Sequence, residues 1–151
     1  MNLSIQADVV IDRPVEHVFD FVAVRHRENH SRWDVAVSRL EASSAEPLGL
    51  GSRFTIVRRN LRREEARAFD ITEWRPPQRM TMTTTAPGFE LSLRGDFLAL
   101  GSSRTRHVLT GEAQVGGLRG LLAPVMRRKF QRDIEENLQR IKALVEAEPT
   151  G

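Results

Sequence analysis

The sequence predicts an α+β fold in which a curved antiparallel sheet of seven strands wraps around a long C-terminal helix, with two short helices after the first strand. Three observations predict it. Seven segments alternate between apolar and polar residues with the period of a strand. The breaks between the last six segments are short and rich in turn residues, and such breaks join antiparallel neighbours. The C-terminal part carries a continuous apolar stripe at helical spacing.

The first strand is predicted at residues 4–12, whose odd-numbered positions are apolar. Asp12 then precedes Arg13-Pro14, a pair typical of a helix N-cap followed by a first-turn proline. The helix that follows has valines and a phenylalanine at helical spacing. Residues 25–32 are polar and lead to Trp33, so they hold either a short second helix or a loop.

Six further strands are predicted, at residues 35–42, 52–59, 64–74, 79–85, 89–99 and 104–115. The breaks are Glu46-Pro47-Leu48-Gly49, Asn60, Pro76-Pro77, Pro87-Gly88 and Gly101-Ser102-Ser103. Strands joined this way run up and down, and alternate turns share an end of the sheet. The tips near 60 and 87 and the Gly116-Gly117 break are therefore expected at one end, and the turns near 48, 76 and 102 at the other.

The long helix is predicted at residues 118–147, and Pro124 in its first third should kink it or start a new segment. Its apolar stripe consists of Leu118, Leu122, Val125, Met126, Phe130, Ile134, Leu138, Ile141 and Val145. A curved sheet around a single helix does not fill its own interior with strand side chains. We therefore expect a cavity between sheet and helix.

These elements and several local motifs resemble the START-like, Bet v 1-like (SRPBCC) superfamily, and more narrowly its bacterial polyketide cyclase/dehydrase and lipid-transport group. The motifs are Val10 to Phe19 (VIDRPVEHVF), Trp33, Leu48 to Phe54 (LGLGSRF), Glu73 to Pro77 (EWRPP), Gly117-Leu118 and Asp133 to Leu138 (DIEENL). The resemblance covers nearly the whole chain. It implies the helix-grip fold, one domain over residues 1–151, and a cavity that binds or processes a hydrophobic molecule.

Composition excludes several classes of function. With 40% hydrophobic and 28% charged residues, the 151-residue chain is typical of one soluble globular domain. The chain contains no cysteine, which excludes disulfides, thiol catalysis and cysteine-ligated metals. No apolar run reaches the ~20 residues of a membrane span, and the N-terminal residues lack a signal-peptide pattern, so we expect a cytoplasmic protein. A net charge of +3 with arginines spread along the chain argues against a nucleic-acid partner.

Strand alternation assigns a set of apolar side chains to the face that meets the long helix, and we predict that they contact a hydrophobic small-molecule ligand. The predicted ligand-binding residues are Trp33, Phe54, Ile56, Phe69, Met80, Met82, Leu91, Leu93, His107, Leu109, Met126 and Phe130. The same positions suit plain core packing, because a pocket wall and a core have the same sequence pattern. Both interpretations stay open at this stage.

His107 is the candidate catalytic residue. It falls among small and apolar residues on the inner face of the strand at 104–115. An imidazole there suits a general acid or base, or a polar anchor for a ligand. The alternative is a core histidine with a single hydrogen-bond partner. Glu73 also falls on an inner face by alternation, but a bulge before Pro76 is expected to turn it to solvent.

No metal or cofactor is predicted. His26 and His30 have the spacing of two ligands on one helix face, but no third ligand is evident, so they and His17 are expected on the surface. The chain has neither a glycine-rich phosphate loop that opens a helix nor a Gly-x-Ser-x-Gly motif.

Two basic clusters are predicted at the end that holds the Gly116-Gly117 break. They are Arg58, Arg59, Arg62 and Arg63 on a hairpin, and Arg127, Arg128, Lys129 and Arg132 on the long helix. One interpretation is a mouth that attracts anionic ligands or lipid headgroups, with transient contact to a membrane surface. The other is a solvated face with ion pairs at helical spacing, such as Arg132–Glu136. Residues 116–124 contain three glycines and Pro124, which predicts a mobile gate beside this mouth.

Three functional hypotheses follow. The first is a protein that binds a hydrophobic or amphipathic molecule of the lipid, polyketide, quinone or isoprenoid type. The second is a polyketide cyclase/dehydratase-type enzyme that uses the same cavity, with polar groups such as His107 moving protons. The third is an interaction module whose cavity is vestigial. Only one inward polar group is evident, so binding is the leading hypothesis.

Overall fold

The computed structural model describes residues 2–42, 47–60 and 62–150, without the side chains of residues 42, 60, 118 and 119. Its strands are β1 (Asn2–Ile11), β2 (Val37–Ala42), β3 (Arg53–Asn60), β4 (Arg63–Arg75), β5 (Arg79–Ala86), β6 (Phe89–Ala99) and β7 (Thr105–Val115). Its helices are α1 (Val15–Phe19), α2 (His26–Trp33) and α3 (Ala123–Ala147). A π-helical turn, Asp20–Val24, continues α1, and a 3-10 segment, Gly117–Leu122, precedes α3.

The seven strands form one sheet in the order β1-β7-β6-β5-β4-β3-β2, and every pair is antiparallel. The predicted fold class is therefore confirmed, including the short helices after the first strand. The register also confirms which turns share an end. Asn60 pairs with Arg63 at one hairpin tip, and the Gly116 amide donates to the Gly88 carbonyl at 3.0 Å. Of the predicted turn positions, Glu46 lies outside the described residues, as does Leu61 at the hairpin tip.

The start of α1 differs from the prediction. Pro14 occupies the N-cap position and provides no side-chain hydrogen bond. Asp12 does not cap the helix, because its carboxylate accepts a hydrogen bond from Arg104 at 3.1 Å, while its backbone N–H donates to the Glu146 carboxylate of α3 at 2.8 Å. The local N-cap signal was overridden by contacts with distant parts of the chain.

The C-terminal helix begins later than predicted, at Ala123, with Pro124 in its first turn where a missing amide costs nothing. Its inner face buries Ile134, Leu138, Ile141 and Val145. The predicted stripe is wrong at Leu122 and Val125, which are exposed, and the side chain of Leu118 lies outside the description. Counting back from Ile134 at about 100° per residue places Val125 on the opposite face of the helix.

Side chains of α3 cover the free edge of β1. The Gln131 amide donates to the Gln6 carbonyl at 2.9 Å, and the Lys142 ammonium donates to the Val10 carbonyl at 2.7 Å. An open strand edge invites pairing with other chains, so these bonds protect β1 while they hold the helix against the sheet.

An ion network fixes the end of α3 to the helical segment after β1. The Glu148 carboxylate accepts hydrogen bonds from Arg25 at 2.8 and 3.0 Å and lies 2.9 Å from Nε2 of His17. Arg25 also donates to Asp20 at 2.7 Å. The hydrogen bond from Arg25 is the main reason that the pKa of Glu148 falls to about 2, against the opposing effect of burial.

Candidate functional site

One end of the sheet interior is closed by aromatic packing. Phe19 of α1 makes edge-to-face contacts with Trp74 of β4, at 5.3 Å between ring centres, and with Phe97 of β6, at 5.2 Å. Phe19 and the neighbouring Val18 are buried. No ligand can enter past these rings without displacing them, so an entrance must lie elsewhere.

The opposite end is covered only in part. No residue of α3 between Ala123 and Ile134 is fully buried, so the first half of this helix covers the sheet less completely than the second half. Five large apolar side chains on β6, β7 and this half of α3 are half-buried. They are Leu91, Leu93, Leu109, Met126 and Phe130, here called the apolar strip. Half-burial of several large apolar side chains is typical of a surface that contacts a ligand.

Arg67 carries a positive charge on the inner face of the sheet at this end. It lies opposite Ile56 of β3 and two residues before Phe69, both of which are buried. Its guanidinium carbon lies 4.6 Å from the centre of the Phe89 ring, in a cation–π contact. Its Nη1 is buried and has no hydrogen-bond partner. Sequence analysis missed Arg67, although its strand parity with Phe69 and Ile71 was a usable signal.

Other arginines of the sheet have carboxylate partners. Examples are Arg39 with Glu41, Arg53 with Asp70, Arg58 with Asp34, Arg79 with Asp96 and Arg106 with Asp8. Among the described residues, no carboxylate forms an ion pair with Arg67. A half-buried guanidinium with an unsatisfied nitrogen is costly unless something supplies the missing acceptor.

The predicted ligand-binding residues divide into two groups. The first is buried and belongs to the main hydrophobic core, and it comprises Trp33, Phe54, Ile56, Phe69, Met80 and Met82. The second is the apolar strip, of which Leu91, Leu93 and Leu109 pack against that core. Their role in binding stays a prediction. The structure brings most of them together on one interior surface.

His107, the twelfth predicted residue, faces inward as expected and is 1% exposed. Its ring stacks on Phe97 at 4.4 Å, and its Nδ1–H donates to the Asp96 carbonyl at 3.0 Å. A methyl group at Gly95 would lie 3.2 Å from the His107 ring, so the glycine makes room for it. Burial lowers the pKa of His107 to about 4, so the ring is neutral at pH 7.

His26 and His30 are buried, so their expected surface position is wrong. Their ring centres lie 4.5 Å apart with the planes tilted by 38°, and the His26 ring centre lies 5.1 Å from that of Phe54. Nδ1 of each ring is buried without a hydrogen-bond partner. Burial, reinforced by the neighbouring His30, lowers the pKa of His26 well below its usual range. Helix α2 turns these two rings toward β3 even though its sequence is polar.

Asp34 lies at the end of this histidine pair. One of its carboxylate oxygens is 3.7 Å from Nε2 of His30 and 2.7 Å from Nη1 of Arg58. Burial raises the pKa of Asp34, but His30 and Arg58 together lower it to about 2. The carboxylate is therefore ionised at neutral pH and can orient His30. Two neutral-capable imidazoles and an ionised carboxylate therefore lie together in a buried cluster, and such groups are candidates for general acid–base chemistry.

Two clefts of ligand size lie at the rim of the molecule. One, of about 710 Å³, lies between β1 and α3 and is lined by polar residues that include Gln6, Glu135 and Arg140. The other, of about 410 Å³, lies beside Val15, Arg79 and Phe97. Neither is lined by any of the twelve predicted ligand-binding residues.

Glu73 is half-buried, where solvent exposure was expected. The bulge between Ile71 and Glu73 is present, and the carboxylate accepts a hydrogen bond from Thr81 at 3.0 Å. Within the described residues, no three His, Cys, Asp or Glu side chains are arranged to hold a metal ion. None of the described helices is both long and apolar enough to span a bilayer.

Comparison with known proteins adds a family and a set of similar structures. The model of the family described as polyketide cyclase/dehydrase and lipid transport matches residues 2–146. None of the curated proteins matches the chain.

Three solved structures illustrate the shared fold. TTHA0849 from Thermus thermophilus is 22% identical, with a TM-score of 0.77 over 94% of this chain and 96% of that chain. The Zhui aromatase/cyclase from Streptomyces sp. R1128 is 15% identical, with a TM-score of 0.74 over 97% and 94%. Truncated norcoclaurine synthase from Thalictrum flavum is 9% identical, with a TM-score of 0.76 over 99% and 96%.

Proposed function

The chain belongs to the polyketide cyclase/dehydrase and lipid transport family, and from this premise we propose that it binds a hydrophobic or amphipathic small molecule. The ligand is of the lipid, polyketide, quinone or isoprenoid type. It enters between β6, β7 and the first half of α3, and its apolar part lies against the apolar strip. Its polar end is an anionic or strongly hydrogen-bond-accepting group that meets Arg67.

The observation that carries this proposal is the unpaired Arg67 on the inner face of the sheet. Its Nη1 is buried without an acceptor, while Phe89 holds the guanidinium in place at 4.6 Å. A guanidinium presents a fork of N–H donors that matches a carboxylate in two parallel hydrogen bonds. A ligand with an acidic end would supply the acceptor that the described residues do not provide.

The apolar strip supports the rest of the ligand. Leu93 and Leu109 lie on neighbouring strands, and Met126 and Phe130 lie in the first half of α3. Each is half-buried, so a bound chain or ring would complete its burial. Removing apolar surface from water contributes about 25 cal/mol per Å², and methionine adapts its shape to different ligands.

Binding of a fluorescent acid tests the proposal. Dansylated undecanoic acid and its methyl ester differ only in the charge at the polar end, and their fluorescence rises in an apolar site. We expect the wild type to bind the acid more tightly than the ester. Arg67→Gln should weaken acid binding about tenfold or more, as expected for a hydrogen-bonded charge pair, and should leave ester binding nearly unchanged.

The matched control is Arg62→Gln, which removes the same charge from an exposed position near the same end. It should change acid binding little. Equal acid binding by wild type and Arg67→Gln would reject the role of Arg67 alone. If neither probe binds, and native mass spectrometry finds no co-purifying ligand, the binding function is rejected and the vestigial-cavity hypothesis takes its place.

A cyclase/dehydratase-type enzyme is the second candidate, because two buried histidines and an ionised carboxylate lie together near the predicted site. His26, His30 and Asp34 follow one another along one face of α2, against Phe54. Such an enzyme should exchange the acidic α-protons of a β-ketoacyl thioester with solvent deuterium, measured by NMR. His26→Gln should abolish exchange above background. An exchange rate equal to the buffer blank in the wild type would reject this candidate.

Other expectations from the sequence stay predictions. They are the cytoplasmic location, the single domain over residues 1–151 and the lack of a nucleic-acid partner.

A further inference from the structure

The 3-10 segment and the first turn of α3 expose three large apolar side chains. Leu121 is 79% exposed, Leu122 60% and Val125 69%. They lie within five consecutive residues. The other exposed large apolar side chains of the described structure are spread over several loops and strand ends. A cluster of this kind on the surface marks a place of contact with something apolar.

Basic residues follow the same exposed face of α3. Counting from Val125, residues three, four and seven positions later share a helix face, and these are Arg128, Lys129 and Arg132. All three are exposed. The result is an apolar tip followed by a basic flank along one surface, here called the tip face.

Most of this charge is not neutralised within the chain. Lys129 pairs with Asp133 at 2.9 Å. Arg128 and Arg132 form no ion pair with any described residue. Of the helical pairs expected on α3, Arg132–Glu136 is not formed, whereas Glu136–Arg140 and Lys142–Glu146 are formed at 3.8 and 2.7 Å. Arg62 lies in the turn after β3 at the same end of the sheet, is exposed, and likewise has no partner among the described residues. The adjoining strands also carry exposed acids, which are Glu64, Glu65, Glu90 and Glu112, and Glu64 pairs with Arg39 and Arg59.

We propose that the tip face docks on an anionic lipid membrane. Leu121, Leu122 and Val125 enter the boundary between headgroups and acyl chains, and the arginines and lysine meet lipid phosphates. Apolar side chains in front of a basic flank are the arrangement of an interfacial helix. The interaction does not depend on the proposed ligand function, although the tip lies at the end where the apolar strip is open.

Charge complementarity favours a membrane over a second copy of the chain. In a symmetric dimer through the tip, the same basic flank meets itself, and like charges in apposition oppose association. An anionic bilayer supplies the opposite charge and an apolar layer at once.

Co-sedimentation with vesicles tests the proposal on the full chain. We expect binding to equimolar phosphatidylglycerol and phosphatidylcholine, and weak binding to phosphatidylcholine alone. Binding should fall when NaCl rises from about 0.1 M to about 0.5 M, since salt screens exposed charges. Arg128→Gln with Arg132→Gln should lower the partition constant about 25-fold, at about fivefold for each basic residue near the surface.

The apolar tip has its own variant and a matched control. Leu121→Gln with Val125→Gln should lower the partition constant at least tenfold. Leu50→Gln, with 72% exposure in the loop before β3, should change it little. Circular dichroism of each variant checks that the exposed substitutions leave the fold unchanged.

A single-site label locates the contact, because the chain contains no cysteine of its own. An environment-sensitive fluorophore on Val125→Cys should shift to the blue and brighten with anionic vesicles. The same label on Leu50→Cys should not respond. The proposal is overturned if the wild type does not bind anionic vesicles. It is also overturned if the fluorophore at position 125 does not respond to them, or if the tip variants bind as tightly as the wild type. Light scattering could instead show a wild-type dimer that Leu121→Gln dissociates, with no vesicle binding. That result would assign the tip to self-association.

Discussion

Protonation of His107 is expected to destabilise the fold in mild acid. The ring is 1% exposed and stacked on Phe97 at 4.4 Å, and burial lowers its pKa from 6.5 to about 4. Between these two values the unfolded chain binds a proton that the folded chain does not. Stability is therefore highest above pH 6.5 and falls as the pH drops toward 4. Each pH unit inside this window costs about 1.4 kcal/mol, so the loss at pH 5 is about 2 kcal/mol.

The substitution His107→Asn isolates this contribution. An asparagine amide can still donate to the Asp96 carbonyl, which His107 Nδ1 now does at 3.0 Å, but it has no proton to gain. At pH 7 the variant should be less stable than the wild type, because it loses the stacked ring. At pH 5 the gap in unfolding free energy should shrink by about 2 kcal/mol. Urea unfolding at pH 7, 6 and 5, followed by tryptophan fluorescence, measures both proteins.

Phe97→Leu serves as the matched control. It disturbs the same stack without removing a titrating group, so its gap to the wild type should not depend on pH. The pKa of His26 is also lowered by burial. Because His26 is present in all three proteins, its contribution to the differences in unfolding free energy cancels. If the gap between wild type and His107→Asn is the same at pH 7 and pH 5, the assignment of a depressed pKa to the buried ring is refuted.

The remaining predictions concern the ion network, the packing of the sheet and the start of α3. Arg25→Gln should lower stability at pH 7 by about 1 to 2 kcal/mol after solvent screening is allowed for. The deficit should shrink as the pH falls from 4.5 toward 2, because Glu148 becomes protonated over this range; urea unfolding at pH 7 and pH 2 checks this. Gly111→Ala should destabilise by about 1 to 3 kcal/mol, because its methyl group would lie 3.1 Å from a side chain of β1. Gly49→Ala, with no atom within 4 Å of the new methyl group, should be nearly neutral in the same thermal melt. Amide hydrogen exchange in residues 116–124 should be faster than in the second half of α3, because the segment is 3-10 and its leucines are exposed; equal protection would exclude a gate there.

Strand and turn positions followed from the sequence because their signals are local. Alternation over residues 89–99 predicted β6 with both ends correct, and the antiparallel order followed from short turns. The predicted cap of α1 was wrong because the Asp12 carboxylate is engaged by Arg104, 92 residues further along the chain. No window of sequence around Asp12 contains that contact.

The candidate site was predictable only in part. Phe69 and Leu93 were assigned to the interior by parity alone, and the structure places both there. His26 and His30 were missed because α2 is polar throughout and has no apolar stripe that points inward. Their burial comes from Trp33 and Phe54 packing around them, which depends on how α2 is set against β3.

The sequence by itself determined the order of elements, the faces of the strands and the family, since each depends on residues close together in the chain. Tertiary structure alone decided where α3 leaves the sheet, and therefore which apolar residues are core, which form the apolar strip and which are exposed at the tip. It also decided that Arg67 has no carboxylate partner within the described part of the chain, while other arginines of the sheet do. The physical reason is that the burial and ion pairing of a side chain depend on neighbours from distant parts of the chain. The periodicity of apolar residues indicates only which side of a helix or strand faces inward.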